Sequence, residues 1–180
     1  DVVYNHFGPS DLDLWQFDGW TENGMGGIYF YNDWRANTPW GDTRPDYGRE
    51  EVRQYIRDNA LMWLHDYHVD GLRFDATAYI RNVKGNDNPG DDLPEGWNLL
   101  RWINDEIDAR EPWKITIAED LRNNEAITAK TGDSGAGFDA QWDGGFVHPV
   151  REALIAAEDI HRNMLSVAAA ITNRYNDDAF

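Results

Sequence analysis

The stretch YHVDGLRFDATAYI, residues 67–80, decides the fold class of this 180-residue chain. Its apolar residues are typical of a short buried strand, yet a charged pair, Arg73 and Asp75, lies near the end of the same run. Residues two apart in a strand point to the same side, so Arg73 and Asp75 share one face while Leu72 and Phe74 share the other. The stretch therefore predicts a buried strand that presents an arginine and an aspartate together.

The Arg73–Asp75 pair has two interpretations. A carboxylate beside a guanidinium is held ionised, which suits a nucleophile or an electrostatic stabiliser of developing positive charge. The same two residues could form a plain salt bridge at the end of a strand. Taken alone, the pair favours the salt bridge, and a catalytic interpretation needs a second group.

The segments around residues 67–80 alternate between strand and helix patterns. Upstream, 49–67 is the clearest helix, with one predicted apolar face made of Val52, Tyr55, Ile56, Ala60, Met62, Trp63 and Tyr67. The other predicted strands are DVVY at 1–4, KITIAED at 114–120 and, more weakly, FDAQWD at 138–143, and the other predicted helices lie at 96–110 and within 147–175. Strands that alternate with helices at this spacing predict an α/β fold with a parallel sheet buried on both faces.

A long loop follows the first strand. Residues 7–48 are rich in Gly, Asp, Asn, Pro and Trp, and only NGMGGIYFYND at 23–33 resembles a short strand or hairpin. Loops of this length in a compact domain are usually functional.

Glu119 ends the apolar run ITIAEDL much as Asp75 ends its own strand. Glu119 follows Asp75 by 44 positions, enough for a loop, a helix and a return to an adjacent parallel strand. Neighbouring strands lie about 4.8 Å apart, close to the ~5–5.5 Å that separates the two carboxyls of a retaining glycosidase. In that mechanism Asp75 would attack the sugar and Glu119 would serve as general acid and base. The alternative for Glu119, or for Asp120 in its place, is an acid at a helix N-terminus stabilised by the helix dipole.

The segment DVVYNH places Asp1, Asn5 and His6 together at another strand end. This mixture suits a calcium site, a site for sugar hydroxyls or ordinary hydrogen bonding. A lone histidine is more often a structural group than a ligand.

Composition limits the partners. Sixteen basic against thirty-three acidic residues give a net charge of −17, which would repel nucleic acid and an anionic membrane surface. Nine Trp, eight Tyr and seven Phe suit both a packed core and the apolar faces of sugar rings. There is no cysteine for disulfides or thiolate metal sites, and no apolar run long enough to span a membrane. Five scattered histidines without an obvious third ligand argue against a metal-dependent hydrolase.

Together, DVVYNH, GLRFDATAYI and IAED resemble, in order and spacing, the first three signature blocks of the alpha-amylase superfamily, glycoside hydrolase family thirteen. The resemblance implies a (β/α)8 barrel with its active site at the carboxyl ends of the strands. It implies Asp75 as nucleophile, Glu119 as general acid/base, Arg73 as partner of the nucleophile, and Asn5 and His6 as substrate contacts.

Within the superfamily, WGDTRPDYGREEVRQYIRDNALMWLHDYHVDGLRFDA and FDAQWDGGFVHPVR are most similar to 1,4-alpha-glucan (glycogen) branching enzymes. They are also similar to malto-oligosyltrehalose trehalohydrolases. The implied substrate is an alpha-glucan such as glycogen, starch or a malto-oligosaccharide, and the implied reaction is branching, with hydrolysis as the alternative. The asparagine of the first block often binds calcium in alpha-amylases, but branching enzymes generally lack the ion, so we expect no cofactor. A glucan-binding protein without activity is a further alternative, against which the presence of Asp75, Glu119 and Arg73 argues.

The resemblance departs from the family pattern at both ends. The fourth block, a His-Asp pair with the third catalytic carboxylate, has no match in the final NRYNDDAF, and nothing corresponds to the first two barrel strands. We therefore expect residues 1–180 to be one partial catalytic barrel domain, about strands three to six, truncated at both ends and nearly inactive alone. The missing initial Met agrees with this expectation. The expected compartment is the cytoplasm.

Overall fold

Three apolar runs form neighbouring parallel strands in the computed structural model, which describes residues 1–8 and 12–172. The strands are β1 (Gly71–Phe74), β2 (Ile115–Ala118) and β3 (Ala140–Gln141), side by side in that order. Both pairings are parallel, which confirms the predicted α/β class with a parallel sheet. Its interpretation as strands three to six of an eight-stranded barrel stays a prediction.

Among the described residues, the helices lie close to where the sequence predicts them, except the short helix α2, which was not predicted. They are α1 (Glu50–His65), α2 (Ala78–Arg81), α3 (Pro94–Arg110), α4 (Gly144–Ile155) and α5 (Met164–Thr172). Short 3-10 turns occur at Trp34–Ala36, Pro89–Asp91, Glu125–Ile127, Thr131–Asp133 and Asp159–His161. Helices α2 and α3 connect β1 to β2, whereas two 3-10 turns stand between β2 and β3. The segment predicted to hold one or two helices contains two, and its last residues, 173–175, lie outside the described part of the chain.

The N-terminal run DVVY lies along β1 on the side away from β2. Val2 forms a parallel bridge with Phe74, its N–H donates to the carbonyl of Arg73 at 2.9 Å, and its carbonyl accepts from Asp75 N at 2.9 Å. Val2 and Tyr4 are buried. The predicted strand is thus reduced to one bridge, but the segment lies where a fourth parallel strand would.

The predicted apolar face of α1 is partly wrong. The helix buries Val52, Ile56, Ala60 and Leu64, one residue in every four, and Leu64 was absent from the predicted face. Tyr55 is 49% exposed, while Tyr67 lies beyond the helix end and is 63% exposed. These aromatic rings pack against other aromatic rings at the flank of the helix, Tyr55 on Phe7 and Tyr29, and Tyr67 on Trp63. A buried stripe of one residue per turn is narrower than the apolar content of the helix suggests.

The core lies between the sheet and helices α1 and α3. From β1 it takes Leu72 and Phe74, the two residues on the face opposite Arg73, as strand alternation predicts. Phe74 is fully buried between Tyr4 and Phe138, with ring centroids 5.5 and 5.1 Å away. This packing fixes the strand end from which Asp75 emerges.

The predicted strand or hairpin at 23–33 does not form. All of these residues are described, and their one bridge joins Phe30 to Pro45. Asn23, Gly24 and Gly27 have positive φ angles of 54°, 71° and 88°, which turn the backbone away from an extended path. The described part of the long loop, residues 7–8 and 12–48, is therefore a series of turns.

Arg44 holds this loop to the domain. Its side chain is completely buried; Nε donates to Arg35 O at 2.7 Å, and Nη2 donates to Asn37 O at 2.7 Å and to Val83 O at 2.8 Å. Burial lowers the pKa of the Arg44 guanidinium, because the charge is removed from water. The cation thus joins the 35–37 turn to the segment after α2.

Replacing Arg44 with methionine is expected to lower the free energy of unfolding by about 2–4 kcal/mol. Three carbonyls lose a charged donor, and relief of the buried charge offsets part of that loss. Urea unfolding measures the difference. Arg53, half-buried with one bond to Tyr47 O at 2.6 Å, provides the matched control, and Arg53→Met is expected to cost under about 1 kcal/mol. Equal losses for the two variants would contradict the role given to Arg44.

Among the helices of residues 1–8 and 12–172, none combines the length and apolar character needed to cross a membrane.

Candidate active site

The sheet register brings the two candidate carboxylates to the same level. Phe74 of β1 pairs with Ala118 of β2, so Asp75 and Glu119 are the next residues on neighbouring parallel strands. The N–H of Glu119 donates to Phe74 O at 2.9 Å, which extends the pairing past the strand ends. Both side chains therefore emerge at the carboxyl edge of the sheet.

Arg73 joins the two carboxylates. Its Nη1 lies 2.7 Å from Asp75 Oδ1, and its Nη2 lies 2.8 Å from Glu119 Oε2. The guanidinium is largely buried and stacks on the ring of Trp142 at 4.3 Å from the centroid. The predicted salt bridge exists, and it extends to a second acid one strand away. Asp1, which the sequence grouped with Asn5 and His6, is 72% exposed. Its Oδ1 lies 3.8 Å from Arg73 Nε, too far for a hydrogen bond.

Asn5 orients the other oxygen of Asp75. The Asn5 side chain is completely buried, and its Nδ2 donates to Asp75 Oδ2 at 3.0 Å and to the Asp75 carbonyl at 2.7 Å. With Arg73 on Oδ1, each carboxylate oxygen of Asp75 has a donor. Donors on both oxygens fix the plane and direction of the carboxylate, which suits a nucleophile.

His6 stands beside this group. Its Nδ1 contacts Asn5 Oδ1, and its ring stacks on Trp40 with centroids 4.8 Å apart and planes 11° from parallel. Burial lowers the pKa of His6, and the nearby Asp75 carboxylate offsets part of that effect. The five residues predicted from the sequence, Asn5, His6, Arg73, Asp75 and Glu119, are thus together in one site.

Glu119 is held by the turn that follows Asp75. Its Oε2 accepts from Ala76 N at 2.8 Å, and its carbonyl accepts from Thr77 N at 3.1 Å and Thr77 Oγ1 at 3.0 Å. Ala76 has a φ of +40°, a left-handed conformation that costs a residue with a side chain about 1–2 kcal/mol. Strain of this kind concentrates at functional sites, and here it aims an N–H at a carboxylate.

The alternative of an acid at a helix N-terminus is wrong for both Glu119 and Asp120. No helix begins directly after them, and the next helical turn starts at Glu125. Asp120 is instead completely buried against Arg81.

A cavity of about 440 Å³ opens next to the two carboxylates. Besides Asp75 and Glu119 it is lined by Trp40, Ala76, Ala78, Tyr79, Gly85, Leu121, Arg122 and His148. The rings of Trp40 and Tyr79 meet edge to face at 5.3 Å. Sequence reasoning missed Trp40, Tyr79 and Trp142 because they come from separate segments, Tyr79 from the short helix α2 and the two tryptophans from loops, and only the high aromatic content suggested them.

Among the described residues, no group of three or more His, Asp or Glu could hold a metal ion. Asn5 Oδ1, the atom that a calcium site in DVVYNH would use, contacts His6 Nδ1. Both polar atoms of the Asn5 amide thus have protein partners.

Comparison with known proteins identifies relatives along most of the chain. No protein-family model matches. The 1,4-alpha-glucan branching enzyme of Corynebacterium diphtheriae is 34% identical over 173 residues, which are 90% of this chain and 23% of the relative. The branching enzymes of Myxococcus xanthus and Picrophilus torridus are 34% and 36% identical, each over 82% of this chain and 21% of its own length. The chain therefore spans less than a quarter of the length of these curated relatives.

A solved structure shares the fold. The crystal structure of a candidate alpha-amylase from Salmonella typhimurium superposes with a TM-score of 0.59 and 28% identity, over 85% of this chain and 23% of that protein. The resemblance drawn from the three sequence blocks is thus confirmed. The chain is homologous to 1,4-alpha-glucan branching enzymes over about nine tenths of its length.

Proposed function

We propose that this homologue of the branching enzymes is part of a retaining enzyme that cleaves alpha-1,4-glucosidic bonds and transfers the released chain to a 6-hydroxyl of an alpha-glucan. One observation carries the proposal. Arg73 holds Asp75 and Glu119 side by side on neighbouring parallel strands, beside a cavity with an aromatic wall. A strand spacing of about 4.8 Å suits the double-displacement mechanism, which needs carboxyls ~5–5.5 Å apart.

In the first half of the reaction, an Asp75 oxygen attacks C1 of the donor glucose. The bond between C1 and the glycosidic oxygen breaks, and Glu119 gives its proton to that oxygen as the shortened glucan leaves. Arg73 and Asn5 hold the Asp75 carboxylate in a fixed orientation through hydrogen bonds of 2.7 Å and 3.0 Å to its two oxygens.

In the second half, Glu119 is the base. It takes the proton of a 6-hydroxyl on the acceptor glucan, whose oxygen attacks C1 while the bond between C1 and Asp75 breaks. Two displacements at C1 retain the alpha configuration. Water in place of the 6-hydroxyl gives hydrolysis, the alternative that the likeness to a candidate alpha-amylase supports.

Two further groups would contact the substrate. His6, half-buried with a lowered pKa, presents a neutral ring that can hydrogen-bond a sugar hydroxyl at the cleavage site. Aromatic faces near the cavity suit the apolar faces of glucose rings. No step of the proposed reaction is assigned to a metal ion or another cofactor.

We also propose that residues 1–180 form the middle of a larger (β/α)8 barrel, about strands three to six. DVVY and the three strands give four consecutive parallel segments, and the relatives are at least four times longer. Helices α4 and α5 and their link expose large apolar side chains, including Leu154 at 75%, Ile160 at 84% and Leu165 at 82%. Apolar surface of this extent is normally covered, here by the remaining barrel elements.

The partner that this proposal names is an uncharged alpha-glucan. A net charge of −17 disfavours nucleic acids and anionic membranes, and no such repulsion acts on a glucan. The cytoplasmic location stays a prediction.

Incubation of the full-length protein with amylose tests the proposed function. We expect new alpha-1,6 links, counted after debranching, to exceed new reducing ends by at least about tenfold. Reducing ends without branch links would replace branching with hydrolysis. Glucan binding with neither product would favour the glucan-binding protein that lacks activity and would overturn the enzymatic proposal.

A further inference from the structure

A buried ion pair joins the chain segments that follow the two candidate catalytic carboxylates. Arg81 and Asp120 are 1% and 0% exposed, and they form two bonds, from Nε to Oδ2 at 2.7 Å and from Nη2 to Oδ1 at 3.2 Å. The guanidinium also lies over the ring of Trp97 at 5.4 Å. A planar ion pair with two hydrogen bonds fixes the distance and the angle between the two chain segments that carry its members.

Each member of the pair belongs to the segment of one carboxylate. Asp120 is the residue after Glu119, and Arg81 ends the helix α2 that begins three residues after Asp75. Two hydrogen bonds from backbone N–H groups connect the same two segments. Thr77 N donates to Glu119 O, and Ala76 N donates to Glu119 Oε2. The pair therefore joins the turn after the proposed nucleophile to the backbone of the proposed general acid.

The other partners of Arg81 differ from Asp120 in burial and position. Nη2 also bonds Asp87 Oδ1 at 2.7 Å, and Nη1 donates to Asn86 O at 3.1 Å. Asp87 is 44% exposed and lies in the loop after α2, away from Glu119 in the chain. Only Asp120 gives Arg81 a completely buried counter-charge, and only Asp120 is covalently adjacent to Glu119.

We propose that Arg81 and Asp120 are positioning residues, which hold the Glu119 carboxylate where it can protonate the departing glucan oxygen. Their effect passes through Glu119, and the inference rests on the proposed function. A displacement of about 1 Å in a catalytic group can cost ~100-fold in rate. Replacing Arg81 or Asp120 should therefore lower the rate of the step that needs the Glu119 proton.

Two substrates with different leaving groups separate this role from a merely structural one. Malto-oligosaccharides need the leaving oxygen protonated, whereas alpha-maltosyl fluoride loses fluoride with little help from an acid. For Asp120→Asn in the full-length protein we expect kcat/KM to fall about 10- to 100-fold with maltoheptaose and under about 3-fold with the fluoride. The ratio kcat/KM covers binding and the steps through the first irreversible bond cleavage, so later breakdown of the intermediate does not affect it.

Asp87→Asn is the matched control, because it removes the other carboxylate from the same guanidinium. It should leave the ratio of the two kcat/KM values within about twofold of wild type. If Asp120→Asn fails to fold, the double variant Arg81→Met, Asp120→Leu removes both charges and replaces them with apolar volume, a change that buried pairs often tolerate. That variant should show the same selective loss.

Equal losses on both substrates, or no loss, would overturn the positioning role and leave the proposed function intact. A wild-type protein that turns over neither substrate would overturn the proposed function and this inference with it.

Discussion

Replacing Asp75 with asparagine is expected to lower kcat for alpha-glucan cleavage by at least about 10⁴-fold, or about 5.5 kcal/mol of transition-state stabilisation. The amide cannot form the covalent bond to C1, although it fills the same volume between Arg73 and Asn5. Binding of amylose should change by less than about tenfold, because the variant retains His6 and the aromatic wall of the cavity, the proposed glucan contacts. Initial rates and affinity electrophoresis in glycogen gels measure the two quantities separately.

Asp139→Asn is the control for the loss of one carboxylate at a strand end. Asp139 Oδ2 accepts from Thr116 N at 2.8 Å, at the start of β2 and so at the opposite end of the sheet from Glu119. This variant can lose stability, but its folded form should keep kcat within about threefold of wild type. Activity of Asp75→Asn close to that of wild type would remove Asp75 as the nucleophile.

The backbone of this site follows from local sequence rules. Alternation of Leu72, Arg73, Phe74 and Asp75 predicts which side chains share a face, and the structure agrees, with the two apolar residues buried and the two charged residues paired. The position of Glu119 at the same height as Asp75 along the sheet follows from the length of one crossover and from parallel pairing. These features depend on short-range geometry, which a single sequence contains.

Other features depend on which distant segments meet, and sequence patterns do not contain that information. Nothing local predicts that Arg73 reaches Glu119 as well as Asp75, that Trp142 covers it, or that Ala76 adopts a positive φ. The same limit explains Asp120. Its position next to a strand end suggested a helix terminus, whereas its partner, Arg81, lies 39 residues earlier in the chain.

Replacing Glu119 with glutamine is expected to have the second large effect, a fall of about 10³- to 10⁴-fold in kcat/KM for maltoheptaose. Glutamine preserves a side-chain oxygen for the Ala76 N–H but has no proton to give to the leaving oxygen. With alpha-maltosyl fluoride, cleavage should continue, because fluoride leaves without a proton. Mass spectrometry should then detect a maltosyl group attached to Asp75, since the variant also lacks the base that activates the acceptor.

Azide separates this role from a structural one. The anion needs no base, so it should attack C1 of the trapped intermediate, break the bond to Asp75 and raise kcat for the fluoride by about tenfold or more. Two displacements at C1 require the product to be the alpha-glycosyl azide. Wild type, in which Glu119 already activates the acceptor, should respond little. A beta-azide, or no response to azide in the variant, would contradict the assignment of Glu119 and with it the pairing of the two carboxylates that Arg73 holds together.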